Sequence, residues 1–466
     1  GPTGSATAKV LTTPAAPEEG VLNGIEGVLA ETGADAGDVS VVLHGTTLAT
    51  NAIIERKGAK VALITTEGFR DVLEIGYETR FNQYDVFIDK PEALVPRKRR
   101  LTVPERVDVS GKVLKPLDEA AVVDLLPELD EMEVDSVTVG FLHSYANPDH
   151  ERRVRDILNE HRPGLSVSLS SEVCPEIREY ERLTTATANA YVRPLMARYL
   201  ENLESRLKAL GAACPILLMT SGGGLTDLKT ARMLPIRLVE SGPAGGAILA
   251  TRIAAELGLR KVISFDMGGT TAKICLIDDF QAQKAREFEV DRQARFRKGS
   301  GLPLRIPVIE MVEIGAGGGS IARVDAMQRI TIGPDSAGSD PGPAAYGQGG
   351  AGKVPLAPDR AEAAINNDVA GPLGLSSHMA AFGIVEMVDE TMANAARVHA
   401  VEQGRAASDY TVIAFGGAAP LHAGRFAEKL AVSRIIVPTD AGVGSAVGFL
   451  RAPVAYEVVR SRNLRL

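Results

Sequence analysis

Tryptophan is missing from this 466-residue chain, and cysteine occurs only three times. Cys174, Cys214 and Cys275 stand in unrelated contexts with no Cys-x-x-Cys spacing. That excludes a disulfide framework or a cysteine-based zinc cluster built from this chain alone, so any metal must take oxygen or histidine ligands. No apolar run reaches the roughly 18 residues of a helical membrane span. The opening Gly1-Pro2-Thr3-Gly4-Ser5 has neither the basic nor the apolar region of a leader. The expected location is cytoplasmic, with no membrane partner. A long basic block is lacking too: 51 Lys and Arg face 59 Asp and Glu, for a formal net charge of -8. No nucleic-acid partner is expected from that balance, and a small charged metabolite stays open.

What the chain has in quantity is glycine, 47 residues gathered in short clusters that would let a backbone approach something closely. With 45% hydrophobic and 24% charged residues it has the profile of a soluble globular protein with two or three cores, not of a disordered or collagen-like one.

A strand-like stretch over 7–11 and a helix over 18–32 are expected first. From residue 39 apolar runs of strand length alternate with amphipathic stretches of helix length, the pattern of a parallel or mixed sheet covered by helices. Strands are expected at 39–43, 60–65, 137–142, 166–169, 216–219, 262–265, 412–415 and 435–437. The clearest helices are expected at 48–55, 152–160, 184–210, 245–257, 379–398 and 419–429. Pro194 should kink or split the 184–210 stretch. A domain boundary is placed near residue 180.

The strongest local signal is Asp266-Met267-Gly268-Gly269-Thr270-Thr271 between two strand-like runs. A hairpin turn of this kind exposes backbone N–H groups and hydroxyls that can wrap a phosphate chain, while the Asp266 carboxylate can hold hydrated magnesium. An ordinary Gly-Gly hairpin is the alternative. A GxxxxGK[ST] loop is absent. In Phe415-Gly416-Gly417-Ala418-Ala419-Pro420-Leu421-His422 a strand, a glycine turn and a helix start follow one another, which suits an anion or a base and ribose, or simply a tight turn. Further clusters are Gly315-Ala316-Gly317-Gly318-Gly319-Ser320, Ser221-Gly222-Gly223-Gly224 and Ser241-Gly242-Pro243-Ala244-Gly245-Gly246. Sheets of this class bind ligands at the carboxyl ends of their strands.

His44-Gly45-Thr46-Thr47 ends one strand and opens a helix. Threonine capping is one reading of it, and His44 as a proton-transfer or orienting group is the other. The 76–81 segment reads as a solvated loop, and Glu179, Glu181 and Arg182 read as a solvated helix start.

Together with Thr65-Thr66-Glu67-Gly68-Phe69-Arg70-Asp71 and Leu48-Ala49-Thr50-Asn51-Ala52, these motifs resemble the A-type subunit of the hydantoinase/oxoprolinase family over nearly the whole chain. The resemblance implies an α/β, actin-like/sugar-kinase-like (ASKHA) nucleotide-binding fold with mixed sheets covered by helices, divided into an N-terminal region 1–180 and a nucleotide-binding region 181–466. It implies ATP and Mg2+ as cofactors: Asp266 on the metal, Gly268, Gly269, Thr270 and Thr271 on the phosphates, Gly416 and Gly417 on the adenosine, with Gly317 and Gly318 among the cofactor contacts. His44 or Thr46 would meet the transferring group or the substrate carbonyl.

The implied activity is ATP-dependent hydrolysis of a cyclic amide (hydantoin, 5-oxoproline or lactam) in a hetero-oligomer with a B-type subunit. A subunit of a ketone carboxylase and a non-catalytic nucleotide binder are the alternatives. The family's first Asp-x-Gly-Gly-Thr loop does not occur before Val39, a Thr-Asp segment does not follow Gly350, and family chains continue past Leu466. The expectation is that this chain is trimmed.

Overall fold

A computed structural model of the chain describes residues 5–10, 13, 16–77, 80–292, 299–338, 342–346 and 356–461. Two sheets organise it. The first is parallel throughout, in the order Arg100–Val103, Val61–Thr66, Ser136–Gly140, Ser166–Leu169. Every residue of Val61–Thr66 is buried, as expected where helices cover both faces of a parallel sheet. The two-residue alternation of a strand divides the work. Ala62 and Ile64 pack with Val154, Ile157 and Leu158 on one face, while Val61 and Leu63 meet Leu183 and Ala186 on the other.

The second sheet is mixed. Its order is Gln281–Ala282, Ala272–Asp278, Lys261–Met267, Thr411–Phe415, Ile435–Ile436, with Val312–Ile314 also pairing on Ala272–Asp278. The first two long strands form an antiparallel hairpin, and Thr411–Phe415 runs parallel to Lys261–Met267. Ile263, Phe265 and Met267 face the helices Ser377–Glu402 and Ala419–Lys429, where Phe265 stacks on Phe426 at 4.3 Å. Val262 faces the opposite helix, Ser241–Glu256, through Ala247, Ala250 and Ala254. Each fully buried Phe of this core contributes about 2–3 kcal/mol.

Between the parallel sheet and a small three-stranded sheet (Val42–His44, Ile216–Met219, Leu225–Asp227) lies the helix Glu179–Leu210. It is buried without a break from Glu181 to Val192. A helix hidden on all sides needs no polar face, and its small residues, Thr184-Thr185-Ala186-Thr187-Ala188, allow close approach of the parallel sheet and of the strand Leu302–Leu304, after which Arg305 N–H donates to Thr185 Oγ1 at 2.8 Å.

Several expectations are corrected here. Pro194 does not split this helix: the bond its missing N–H denies Ala190 is outweighed by packing of Ala190, Val192 and Met196. Glu181 and Arg182 are buried, not solvated. Arg182 donates to the carbonyls of Phe141 (2.6 Å) and Glu176 (3.1 Å) and to Ser170 Oγ (3.1 Å). Glu181 accepts from Arg305 at 3.1 Å.

The strand expected at 39–43 is Val42–His44, set by its pairing with Ile216–Met219. Residues 7–10 pair with no strand, and Leu11 lies outside the described residues. In the 76–81 segment Tyr77 packs edge-on against Tyr180, and Glu78 and Thr79 lie outside the described residues, as does the stretch following Gly350. No helix among the described residues is long and apolar enough to cross a membrane.

Candidate active site at the carboxyl end of the mixed sheet

The hairpin register sets Asp266 opposite Lys273 and Met267 opposite Ala272, so 268–271 form the turn. Gly268 N–H closes it on the Thr271 carbonyl at 3.1 Å. Gly269 and Thr270 at its tip are exposed, and their amides donate to no acceptor among the described residues. Among the described residues nothing lies within 4 Å of where a Cβ would stand on Gly268 or Gly269, so the turn is open on that side.

Two other glycine clusters meet this turn. Gly318 N–H donates to the Gly268 carbonyl (3.1 Å) and Gly319 N–H to the Gly269 carbonyl (2.6 Å). Gly317 N–H is taken by Ser320 Oγ at 2.9 Å, and a Cβ on Gly317 would stand 2.5 Å from the Gly269 carbonyl oxygen. Gly317 and Gly318 therefore wall the turn and spend their amides on the protein itself.

Gly416 follows the strand beside Lys261–Met267. Its φ of +95° suits glycine, and a Cβ there would strike Asp266 Oδ1. Ala418 N–H donates to the Met267 carbonyl at 2.9 Å, which ties this loop to the hairpin, while Gly417 is exposed with open space beside it.

Asp266 stands where these elements converge. Its Oδ2 accepts from Ser445 Oγ at 2.9 Å, and Gly246 of the Ser241–Glu256 helix passes closely enough that a Cβ would lie 3.1 Å from the same oxygen. Burial pushes its carboxyl above the ordinary range, against the opposing pull of Ser445 and Lys273. Among the described residues no group of three or more His, Cys, Asp and Glu is placed to hold a metal.

His44 and Thr46 come to the other end of this assembly. His44 is buried, shares a 2.8 Å hydrogen bond between its Nε2 and the Tyr199 hydroxyl, and is pushed down to about 4 by burial. It is neutral at pH 7. Thr46 Oγ1 accepts from Leu48 N–H at 3.1 Å, but the N-cap position of the helix Leu48–Ile54 is Thr47, whose side chain makes no capping bond. The Thr46 backbone meets Ser241: Ser241 Oγ donates to the Thr46 carbonyl (3.1 Å) and accepts from Thr46 N–H (3.4 Å). The two segments are joined to Asp266 through the first turns of the Ser241–Glu256 helix.

Four features of the site escape the sequence reading. Ser445 is 179 residues from Asp266, in no recognisable motif. Tyr199 lies mid-helix. Lys273 and Glu240 form an ion pair at 2.5 Å; both flank glycine motifs, and the strand alternation that points Lys273 to the face of Asp266 was the available signal. His422 bonds through Nδ1 to the buried Asp389 at 2.7 Å, one turn beyond Gly417. Its partner sits on a different helix.

Comparison with known proteins completes the picture. The hydantoinase/oxoprolinase N-terminal region matches residues 2–162, and the hydantoinase/oxoprolinase description matches 182–352 and 349–458. The chain belongs to the hydantoinase/oxoprolinase family. An uncharacterised family protein of Methanocaldococcus jannaschii is 38% identical, over 97% of this chain and 70% of its own. The caprolactamase alpha subunit of Pseudomonas jessenii is 33% identical over 98% of this chain and 69% of its own.

The crystal structure of the ATP-dependent caprolactamase from that organism superposes with a TM-score of 0.82 at 31% identity, covering 97% of this chain and 68% of that one. A nucleotide-free structure of acetone carboxylase superposes with a TM-score of 0.80 at 27% identity, over 94% of this chain and 65% of that one. The family's actin-like nucleotide-binding fold is thus the fold of this chain.

Proposed function

We propose that this chain is the nucleotide-binding A subunit of a two-subunit enzyme that hydrolyses a cyclic amide (a hydantoin, 5-oxoproline or a lactam) at the expense of ATP. The observation that carries the reading is the open 268–271 turn beside Asp266, in a chain aligned along almost its whole length with a caprolactamase subunit. An unstrained amide resists water. Phosphorylating its carbonyl oxygen makes the carbon electrophilic, so that one water adds and the ring C–N bond breaks with the proton passing to the nitrogen, leaving an acyl phosphate that a second water cleaves to carboxylate and phosphate.

In this reading the exposed amides of Gly269 and Thr270, with the hydroxyls of Thr270 and Thr271, hold the phosphates, and Gly417 borders the adenosine. Asp266 fits a magnesium ion that keeps most of its ligands as water and phosphate oxygen, because among the described residues it is a lone carboxylate with one protein donor on it. The ion would supply neutralisation of phosphate charge. His44, neutral and held by Tyr199, is placed in an orienting role near the substrate, with Thr46 beside it. A B-type partner subunit, a cytoplasmic location and a division of the chain near residue 180 belong to the same reading.

The similarity to acetone carboxylase supports a second reading, in which the phosphorylated oxygen derives from a ketone and bicarbonate is consumed. Phosphate release by the chain with its B-type partner, measured with hydantoins, 5-oxoproline, caprolactam and ketones, each with and without bicarbonate, tests both. Ring-dependent release without bicarbonate supports the first. Ketone- and bicarbonate-dependent release replaces it with the second, and tight nucleotide binding with no release under any condition refutes both.

A further inference from the structure

The junction between the hairpin and the 44–50 segment is built from Glu240 and Ser241. Glu240 Oε2 is 2.5 Å from Lys273 Nζ, on the strand that pairs with Asp266, and Lys273 also reaches Glu313 Oε1 at 3.3 Å. On its main-chain side Glu240 donates its N–H to Thr50 Oγ1 at 3.3 Å, and the next residue, Ser241, is bonded in both directions to the backbone of Thr46. Two consecutive residues therefore join two walls, the hairpin and the 44–50 segment, Glu240 by its carboxylate and backbone N–H and Ser241 by its hydroxyl.

The arrangement is an expensive one. Glu240 is not glycine, yet its backbone is left-handed at φ 60° and ψ 22°. The Lys273 and Glu240 side chains are only 15% and 12% exposed, where an ion pair gains less than apolar packing of the same volume. Burial alone would push the Lys273 ammonium down, but Glu240 and Glu313 outweigh it and hold it above its usual value. Neither the strain nor the charges are needed to close a core, since the helix that follows is already anchored by Ala244, Ala247 and Ala250.

We propose that Glu240 and Lys273 are positioning residues that couple the Asp266 hairpin to the segment carrying His44 and Thr46, so that nucleotide occupancy on one wall sets the position of the other. The inference rests on the nucleotide site of the proposed function and adds to it a route between the two walls. A nucleotide pulling on the hairpin shifts Lys273. Lys273 carries Glu240, and the Glu240-Ser241 backbone carries Thr46 and Thr50.

The test is hydrogen exchange of the 44–50 amides in the full chain with its partner, with and without Mg·ATP, in the native protein and in Lys273→Met, Lys273→Arg and Glu240→Gln. Nucleotide should slow exchange across 44–50 in the native protein. At saturating Mg·ATP, Lys273→Met and Glu240→Gln should lose about tenfold of that protection, and Lys273→Arg should restore part of it. Glu240→Gln keeps the side-chain shape, so it stands in should Lys273→Met fail to fold. Variants that keep the full protection, or a native protein that binds nucleotide with no change over 44–50, overturn the inference alone. A native protein that binds no nucleotide removes the proposed function, and the inference with it.

Discussion

The two large sheets both end in buried polar groups, and they treat those groups in opposite ways. At the carboxyl end of the parallel sheet Glu151 is wholly buried and accepts from the Phe141 amide, the Ser170 hydroxyl and both the amide and hydroxyl of Ser171. Nearby, Glu105 bridges Thr66 and His150, with His150 Nδ1 at 2.8 Å. Glu151 has no capacity left for a ligand, and both oxygens of Glu105 are already engaged. At the carboxyl end of the mixed sheet Asp266 has, among the described residues, a single side-chain donor, and the turn beside it keeps two amides in the open. A buried acid with all its lone pairs used is a structural device, whereas one left half-satisfied beside unclaimed donors is a place for a ligand.

That contrast can be broken or sharpened by substitution. Asp266→Ala should reduce ATP-dependent phosphate release at least about a hundredfold, with little change in the urea midpoint, because no hydrogen bond other than that from Ser445 is lost. Glu151→Ala should do the reverse. Stranding four donors, two of them buried and two partly buried, should cost about 3–5 kcal/mol, read from the urea midpoint, while turnover per folded molecule stays near the native value.

His44 makes a third, pH-dependent test. Its folded value of about 4 lies below the ordinary 6.5, so between those limits the unfolded chain binds a proton that the folded chain does not. Stability should therefore be complete above pH 6.5 and fall as pH drops toward 4, by at most roughly 3 kcal/mol. His44→Gln should flatten that slope in denaturation curves taken at successive pH values. The smallest effect is expected at Thr46. Thr46→Ala should cost about 1 kcal/mol through loss of the hydroxyl's bond to the Leu48 amide, and a fall in turnover beyond that measured on the folded fraction would assign the hydroxyl a chemical part as well.

Much of the fold is legible in the sequence because it rests on local pattern. The strands Ser166–Leu169 and Ile216–Met219 and the helix Ala419–Lys429 fall where alternation, glycine turns and amphipathic spacing put them. What is not legible depends on partners far along the chain. The charges of Glu181 and Arg182 suggest water, and only Arg305 and the Phe141 carbonyl, brought in by the fold, show why they are buried. Pro194 suggests a break, and packing on two sides overrides it.

At the candidate site the glycine motifs identify the hairpin and the loops that meet it, since close approach needs glycine wherever it occurs. Their division of labour is hidden: nothing in Gly315-Ala316-Gly317-Gly318-Gly319-Ser320 says that the amides of Gly318 and Gly319 are spent on the hairpin while those of Gly269 and Thr270 remain open. Ser445, Tyr199 and Asp389 are set by tertiary contact alone.

The most direct test is a crystal structure of the chain and its partner with magnesium and a non-hydrolysable ATP analogue. The phosphates should lie on the amides of Gly269 and Thr270 with the metal beside Asp266; a triphosphate bound elsewhere, with the 268–271 turn still bare, contradicts the account.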